Sequence, residues 1–259
     1  MKLHEIYPGQ KRKLQTSDFD AVWNNLIVPN CNEIIETYRA TNSLLFRGTP
    51  RFTSPIFRGS SRIDRRPRDS YALLSELFEL GLKESGMTAL RSNSIFVNNS
   101  TQGALNFGCF LYVIFPINGF EYTYTKFGDI TLNSISEFEI WANTKTCRII
   151  NKLCNVNKSH NLYNPWDNFN WLKDSYLFNK SHNIDNNIQH INKLLTSFRF
   201  SPIDPIDLID MEKFKDFFEP RNTGLNDILS KTRSREFMIK GSYYAIESQF
   251  FDKLKEKLF

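Results

Sequence analysis

The chain has 259 residues, 41% of them hydrophobic and 24% charged, with a formal net charge of +5. This composition excludes a disordered or fibrous chain, and the length suits one large domain that buries about 70–75% of its unfolded surface. No apolar run approaches the roughly 18–20 residues of a membrane span, and residues 1–20 are too polar for a secretory signal, so the expected compartment is the cytosol with no membrane partner. Cys31, Cys109, Cys147 and Cys154 fit a reducing compartment, and the Cys147/Cys154 spacing matches no zinc pattern. His4, His160, His182 and His190 are scattered through polar segments, so no metal is expected. The mildly basic balance permits a polyanionic partner without demanding one.

Ser17 and Asp18 cap a helix whose apolar residues Phe19, Val22, Trp23, Leu26 and Ile27 recur at helical spacing. Pro29 and Asn30 are expected to stop it, and a second helix carries Ile34, Ile35 and Tyr38. Residues 1–43 therefore form an N-terminal helical segment. Leu44 to Gly48 reads as a short buried strand that delivers Arg47 at its end. The pattern Phe46-Arg47-Gly48-Thr49-Pro50-Arg51 is echoed eleven residues later by Phe57-Arg58-Gly59-Ser60-Ser61-Arg62, and each suits a strand end with a glycine turn. The loop that follows concentrates Arg62, Arg65, Arg66 and Arg68 before a helix cap at Asp69-Ser70. It is either a solvated basic loop or a phosphate clamp, for which arginine is the apt residue.

Tyr71 to Lys83 is an amphipathic helix. Ser94 to Asn98 then reads as a strand, Gln102 to Asn106 as a short helix, and Phe110 to Phe115 as a fully buried strand. Together they make a floor on which a ligand can rest. Phe120 to Thr125 alternates with period two, as a half-exposed strand does. Residues 140–230 read as a largely helical or irregular insertion within a single domain spanning 1–259. Its Asn-rich stretch 151–200, with interspersed aromatics, is either plain surface or a contact for unpaired bases. Near the end, Glu236-Phe237-Met238-Ile239-Lys240, Gly241 and Ser242 to Ile246 read as a β-hairpin, with an amphipathic tail from Phe250 to Phe259. Glu236, taken alone, is an ordinary surface residue at a strand start.

An Arg on an early strand, a middle strand ending in small polar residues, and a Glu opening a late strand resemble the Arg–Ser–Glu ADP-ribosyltransferases. Phe46-Arg47-Gly48 is similar to that family's first strand, Ser94 to Asn98 with Ala104 and Phe107-Gly108 to its middle strand and following helix, and Arg235 to Ile239 with Gly241 to Tyr244 to its catalytic-Glu strand. The likeness covers roughly residues 44–125 and 232–248. It implies an α+β fold with a split pair of antiparallel β-sheets flanked by helices, and NAD as substrate. By resemblance, Glu236 and Arg47 are the catalytic residues, and Arg47 with Gly48 binds the pyrophosphate, assisted by Arg58 or Arg62. The serine of the nicotinamide site is Ser94 or Ser100, with Asn98 nearby. Phe96 or Phe107 would stack on the nicotinamide, and Phe107 is equally well a core residue. Ser234 stands where arginine-modifying members carry a carboxylate, which points to another acceptor, such as a nucleobase.

The chemistry suits these residue types. Departure of nicotinamide leaves an oxocarbenium-like ribose, which a carboxylate near the 2′-hydroxyl stabilises. No Gly-x-Gly-x-x-Gly follows a strand, so hydride transfer is not indicated. The expected function is mono-ADP-ribosyl transfer to nucleic acid, RNA or DNA, by an enzyme resembling the toxins of toxin–antitoxin and phage-defence systems, with an antitoxin as a possible partner. The alternatives are transfer to a protein side chain, and a non-catalytic nucleic-acid-binding protein.

Overall fold

The computed structural model describes residues 11–14, 18–63, 72–124, 140–157, 184–218, 224–230 and 235–259. The chain divides into two compact units, one of residues 1–65, 87–129 and 220–259 and the other of residues 66–86 and 130–219. The fold class is α+β.

In the first unit, the described residues form one eight-stranded sheet. Its strands are β1 (Lys11–Lys13), β2 (Phe46–Thr49), β3 (Ile56–Ser60), β4 (Ile95–Asn98), β5 (Phe110–Pro116), β6 (Glu121–Tyr124), β7 (Glu236–Lys240) and β8 (Ser242–Glu247). They run in the order β1-β3-β8-β5-β2-β4-β7-β6, and every neighbouring pair is antiparallel. In place of the expected split pair, the sheet is continuous, but its joint between β2 and β4 is a single residue pair, Phe46 with Asn98. By contrast, β2 pairs with β5 over four residues, and β4 with β7 over four.

The hairpin expected at Gly241 does not form. β7 pairs with β4 and β6, whereas β8 pairs with β3 and β5. The reason lies in the spacing: one residue separates β7 from β8, and the shortest hairpin loops need two. Gly241, at φ +135°, instead turns one strand direction into another. Its N–H donates to Ser61 Oγ at 3.1 Å and its carbonyl accepts from Ser61 N–H at 2.9 Å.

β5 is the central strand because Val113, Ile114 and Phe115 are apolar on both faces, and all three are buried. Helices cover one of those faces. Asp18 caps a helix over Phe19–Val22 by accepting from the N–H groups of Asp20 and Ala21. Pro29 does not stop the helix as expected. The turn Trp23–Ile27 is a π-turn, so that Val28 N–H reaches Trp23 O, and helical residues continue over Val28–Asn30. Trp23 and Tyr38, the latter in the helix Asn32–Thr41, both meet the Phe115 ring edge-on, at 5.7 and 5.5 Å between centroids. Tyr38 Oη donates to Ile114 O and accepts from Leu45 N–H, which locks the helix onto β5 beside the start of β2. The terminal helix Phe251–Leu258 buries Leu254 and Leu258, as its amphipathic pattern requires.

In the second unit, the described elements are helices, with one isolated antiparallel bridge between Ala142 and Ile209. The helix Ala72–Glu84 buries Leu74, Leu77, Phe78 and Leu82. Phe78, Trp141 and Phe214 form an aromatic cluster with centroids 5.5–6.5 Å apart. Further helices run over Thr144–Asn157, Ile184–Ser197 and Met211–Phe218. Most of the 140–230 stretch belongs to this unit. Among the described residues, no helix is long and apolar enough to cross a membrane.

Candidate active site

Antiparallel register brings three sequence-distant segments together. Phe46 of β2 pairs with Asn98 of β4, and Asn98 pairs with Glu236 of β7. Neighbouring strands lie about 4.8 Å apart, so this row crosses three strands in about 10 Å, and Arg47 is tied to it through β4, its Nη1 donating to Phe96 O at 3.4 Å. Side chains alternate across a strand. In the β4-β7-β6 part, Ile95, Val97, Phe237, Ile239 and Tyr124 are therefore on the core side, clustered with Leu225, Ile228 and Leu229. Phe96, Asn98, Glu236 and Met238 share the opposite face. Glu236 is 7% exposed, so it is a buried carboxylate and not the surface residue that its position at a strand start suggests.

Where β2 and β4 part, a cleft of about 360 Å³ opens, lined by Arg47, Gly48, Thr49, Pro50, Arg51, Phe96 and Phe107. Arg47 Nη1 donates to Phe96 O at 3.4 Å, a long bond, and Arg47 Nε is buried with no hydrogen bond. Among the described residues no carboxylate pairs with this guanidinium. Burial raises the pKa of the neighbouring Tyr243 hydroxyl, and the Arg47 cation opposes that rise. A buried donor without a partner is costly unless a ligand satisfies it. An unpaired arginine in a cleft, with Arg51 beside it, forms a site for a phosphate or another anion.

Glycine sets how closely the wall can approach. A Cβ on Gly48 would lie 2.0 Å from Ala104 O, and one on Gly108 would lie 2.1 Å from the Thr49 carbonyl carbon. Only glycine lets the short helix Thr101–Leu105 and the turn after it rest directly on β2.

The small polar residues after β4 organise the backbone. Asn98 Oδ1 accepts from Ser100 N–H at 2.9 Å and from Ser100 Oγ at 3.1 Å, while Ser100 Oγ accepts from Gly103 N–H at 3.0 Å as the helix cap. Asn99 clamps the residue before Glu236: its Oδ1 accepts from Arg235 N–H at 2.8 Å, and its N–H donates to Arg235 O at 3.3 Å. The Asn98-Asn99-Ser100 run is thus a bracket for the carboxylate strand.

Of the expected site residues, Arg47, Gly48, Phe96 and Phe107 line the cleft; Asn98 and Glu236 do not line it and lie on the face of β4 and β7 that carries Phe96. Ser100 lies two residues beyond Asn98. Ser94 lies four residues before it, buried, with its hydroxyl donating to Asn93 Oδ1. Neither serine lines the cleft. Phe107 is 43% exposed, which decides against its reading as core. Arg58 does not join Arg47: β8 and β5 intervene, and the two arginines are on opposite faces of the strands that connect them. Arg58 lies instead beside Tyr244 and Cys31, whose thiol burial pushes up to about 12 against the pull of that cation. Arg62 is exposed past the end of β3, next to the Gly241 bend and away from the cleft. Arg65, Arg66, Arg68 and Ser234 lie outside the described residues.

Sequence reasoning missed Arg51, Arg91 and Asn99. Arg91 covers the Phe96 ring at 5.4 Å, a cation–π contact to this residue of the cleft wall. Arg51 was visible in the Phe-Arg-Gly-Thr-Pro-Arg pattern, whose second arginine returns to the same cleft. Among the described residues, no group of three or more His, Cys, Asp or Glu side chains is placed to hold a metal. No protein-family model matches the chain, and no curated protein or solved structure matches it. The class defined by the fold is therefore an α+β protein with an antiparallel sheet and an arginine-lined cleft at its narrowest joint.

Proposed function

We propose that the chain is an NAD-dependent mono-ADP-ribosyltransferase whose acceptor is nucleic acid. The observation that carries this reading is the β4 wall: Phe96 lines the cleft with Arg47, which has no acidic partner among the described residues, and shares its face of β4 and β7 with Asn98 and the buried Glu236. NAD needs both: a cation for its pyrophosphate and a carboxylate for the ribose. The narrow β2/β4 joint supports the split-sheet ADP-ribosyltransferase likeness, because it parts the sheet where that likeness calls for a cleft.

In the proposed step, Arg47 holds a phosphate with Arg51 beside it, and Phe96 or Phe107 walls the nicotinamide. The bond between ribose C1′ and the nicotinamide nitrogen breaks, and its electron pair leaves with nicotinamide. Glu236 accepts a hydrogen bond from the 2′-hydroxyl and offsets the positive charge that grows on the ribose. A lone pair of the acceptor then forms the new bond to C1′, and the acceptor's proton passes to solvent. Loss of one such electrostatic contact costs roughly 10²–10³ in rate.

The test is nicotinamide release from NAD by the purified protein and by Glu236→Gln, which keeps the size of the side chain and removes its charge. Release by the wild type, and its loss by at least about a hundredfold in a folded variant, is the expected result. Equal release by both would remove Glu236 from the mechanism.

A further inference from the structure

We propose that Arg51, Phe52 and Phe110 form the acceptor platform at the rim of the cleft, and that it takes an unpaired base of a single-stranded nucleic acid. The acceptor role rests on the NAD-cleaving reading of the cleft. The platform itself rests on separate observations. Phe52 is 48% exposed although it directly follows Arg51, a residue of the cleft wall. Its ring is not loose: it leans on Phe110 at 5.6 Å between centroids and 54° between planes. The backbone around it is pinned on both sides. Thr49 Oγ1 donates to Arg51 O at 2.9 Å, Thr53 N–H donates to Tyr112 Oη at 3.3 Å, and Ser54 Oγ donates to Ile56 O at 2.5 Å. A large apolar ring is thus held out in water beside the opening of a cleft.

Two chain segments build this rim, residues 47–54 and 105–112, and neither contains an Asp or Glu. Arg47 and Arg51 are their charges, and Leu105 and Phe107 are exposed on the same stretch of chain. Cations interleaved with supported aromatic faces, without acids, are what single-stranded nucleic acid requires: phosphates find the arginines and a base finds a ring. A protein acceptor would more commonly be met by charges of both signs. The platform is also close enough to matter, since adjacent Cα atoms are about 3.8 Å apart and Arg51 is part of the cleft wall.

The experiment measures binding of fluorescein-labelled single strands of about 12 nucleotides, RNA and DNA separately, to the wild type, Phe52→Ala and Phe52→Trp at one fixed salt concentration. Nicotinamide release from NAD, with water as acceptor, is followed in parallel. The expected result is weakening of roughly tenfold for Phe52→Ala, near-wild-type binding for Phe52→Trp, and unchanged nicotinamide release in both. Intact release with no strand bound, or with Phe52→Ala binding as tightly as the wild type, overturns the platform alone. No release from the wild type, with binding still sensitive to Phe52, overturns the NAD reading and the acceptor role with it. Transfer of label from NAD to protein and to neither strand would show that the rim receives a peptide, and overturns the nucleic-acid assignment.

Discussion

Replacing Arg47 with Met separates a ligand-holding arginine from a structural one, because the two roles predict opposite signs. Met keeps the apolar stem and removes the guanidinium. In the folded protein that guanidinium makes one long bond, to Phe96 O at 3.4 Å, and its Nε is buried with no partner. Losing the bond costs about 1 kcal/mol, while relieving a buried unpaired donor returns about 1–3 kcal/mol. The net expectation is a melting temperature unchanged or a few degrees higher, at about 2–4 °C per kcal/mol for a chain of this size. Toward NAD the balance reverses. A bidentate pair of charge-assisted hydrogen bonds is worth about 3–6 kcal/mol, or roughly 10²–10⁴ in kcat/KM. The assays are thermal melts and nicotinamide release across a range of NAD concentrations. A melting temperature lowered by more than about 4 °C, together with unchanged kcat/KM, would refute the argument and make Arg47 a structural residue.

Three further outcomes follow from the same geometry. Asn99→Ala removes the acceptor for Arg235 N–H and should cost about 1–3 kcal/mol of stability in thermal melts, with a loss of nicotinamide release beyond what the fraction unfolded explains; a melt identical to the wild type would show that the clamp contributes nothing. Gly48→Ala sets a Cβ 2.0 Å from Ala104 O, a backbone atom that moves only with its helix, so destabilisation of about 1–3 kcal/mol and weaker NAD binding are expected, read by denaturant titration and calorimetry. Burial holds the Cys31 and Cys147 thiols at about 12, above the ordinary value of 9.0, so both stay protonated in the folded chain while the unfolded chain ionises. Their contribution is complete below pH 9 and is lost between pH 9 and about 12, at about 1.4 kcal/mol per pH unit for each thiol. Mass spectrometry after alkylation of the native protein at pH 8 should find both unmodified, and prompt labelling of either would contradict its burial.

Local pattern reached a good part of the way. Asp18 as a cap, the i, i+3, i+4 spacing of Phe19, Val22 and Trp23, and the unbroken apolar run of β5 each follow from interactions within a few residues, and the structure forms those elements. Two expectations failed where distant partners outweigh local signals. Gly241 between two apolar strands looks like a hairpin turn, but β7 is paired on both edges, with β4 and β6, and β8 on both of its edges, with β3 and β5. The second Phe-Arg-Gly looks like a copy of the first, yet β8 and β5 separate β3 from β2, so Arg58 faces Cys31 while Arg47 faces the cleft.

The sequence by itself determined most of the ingredients: every strand but β1 (Lys11–Lys13), which lies in the stretch read as helical, that Glu236 begins one strand, and that Asn98 to Ser100 close another. Arg47 is the second residue of β2 and not its end. Periodicity, capping and glycine turns are local, and local physics can be read along a chain. Only the tertiary structure decided the neighbours. Strand order brings β2, β4 and β7 side by side across nearly two hundred residues of sequence. It reduces β2 and β4 to one pair so that a cleft opens, buries Glu236, and leaves Arg47 without an acidic partner among the described residues. Pairing of this kind depends on the sum of burial over the whole sheet, and no short stretch of residues carries that sum.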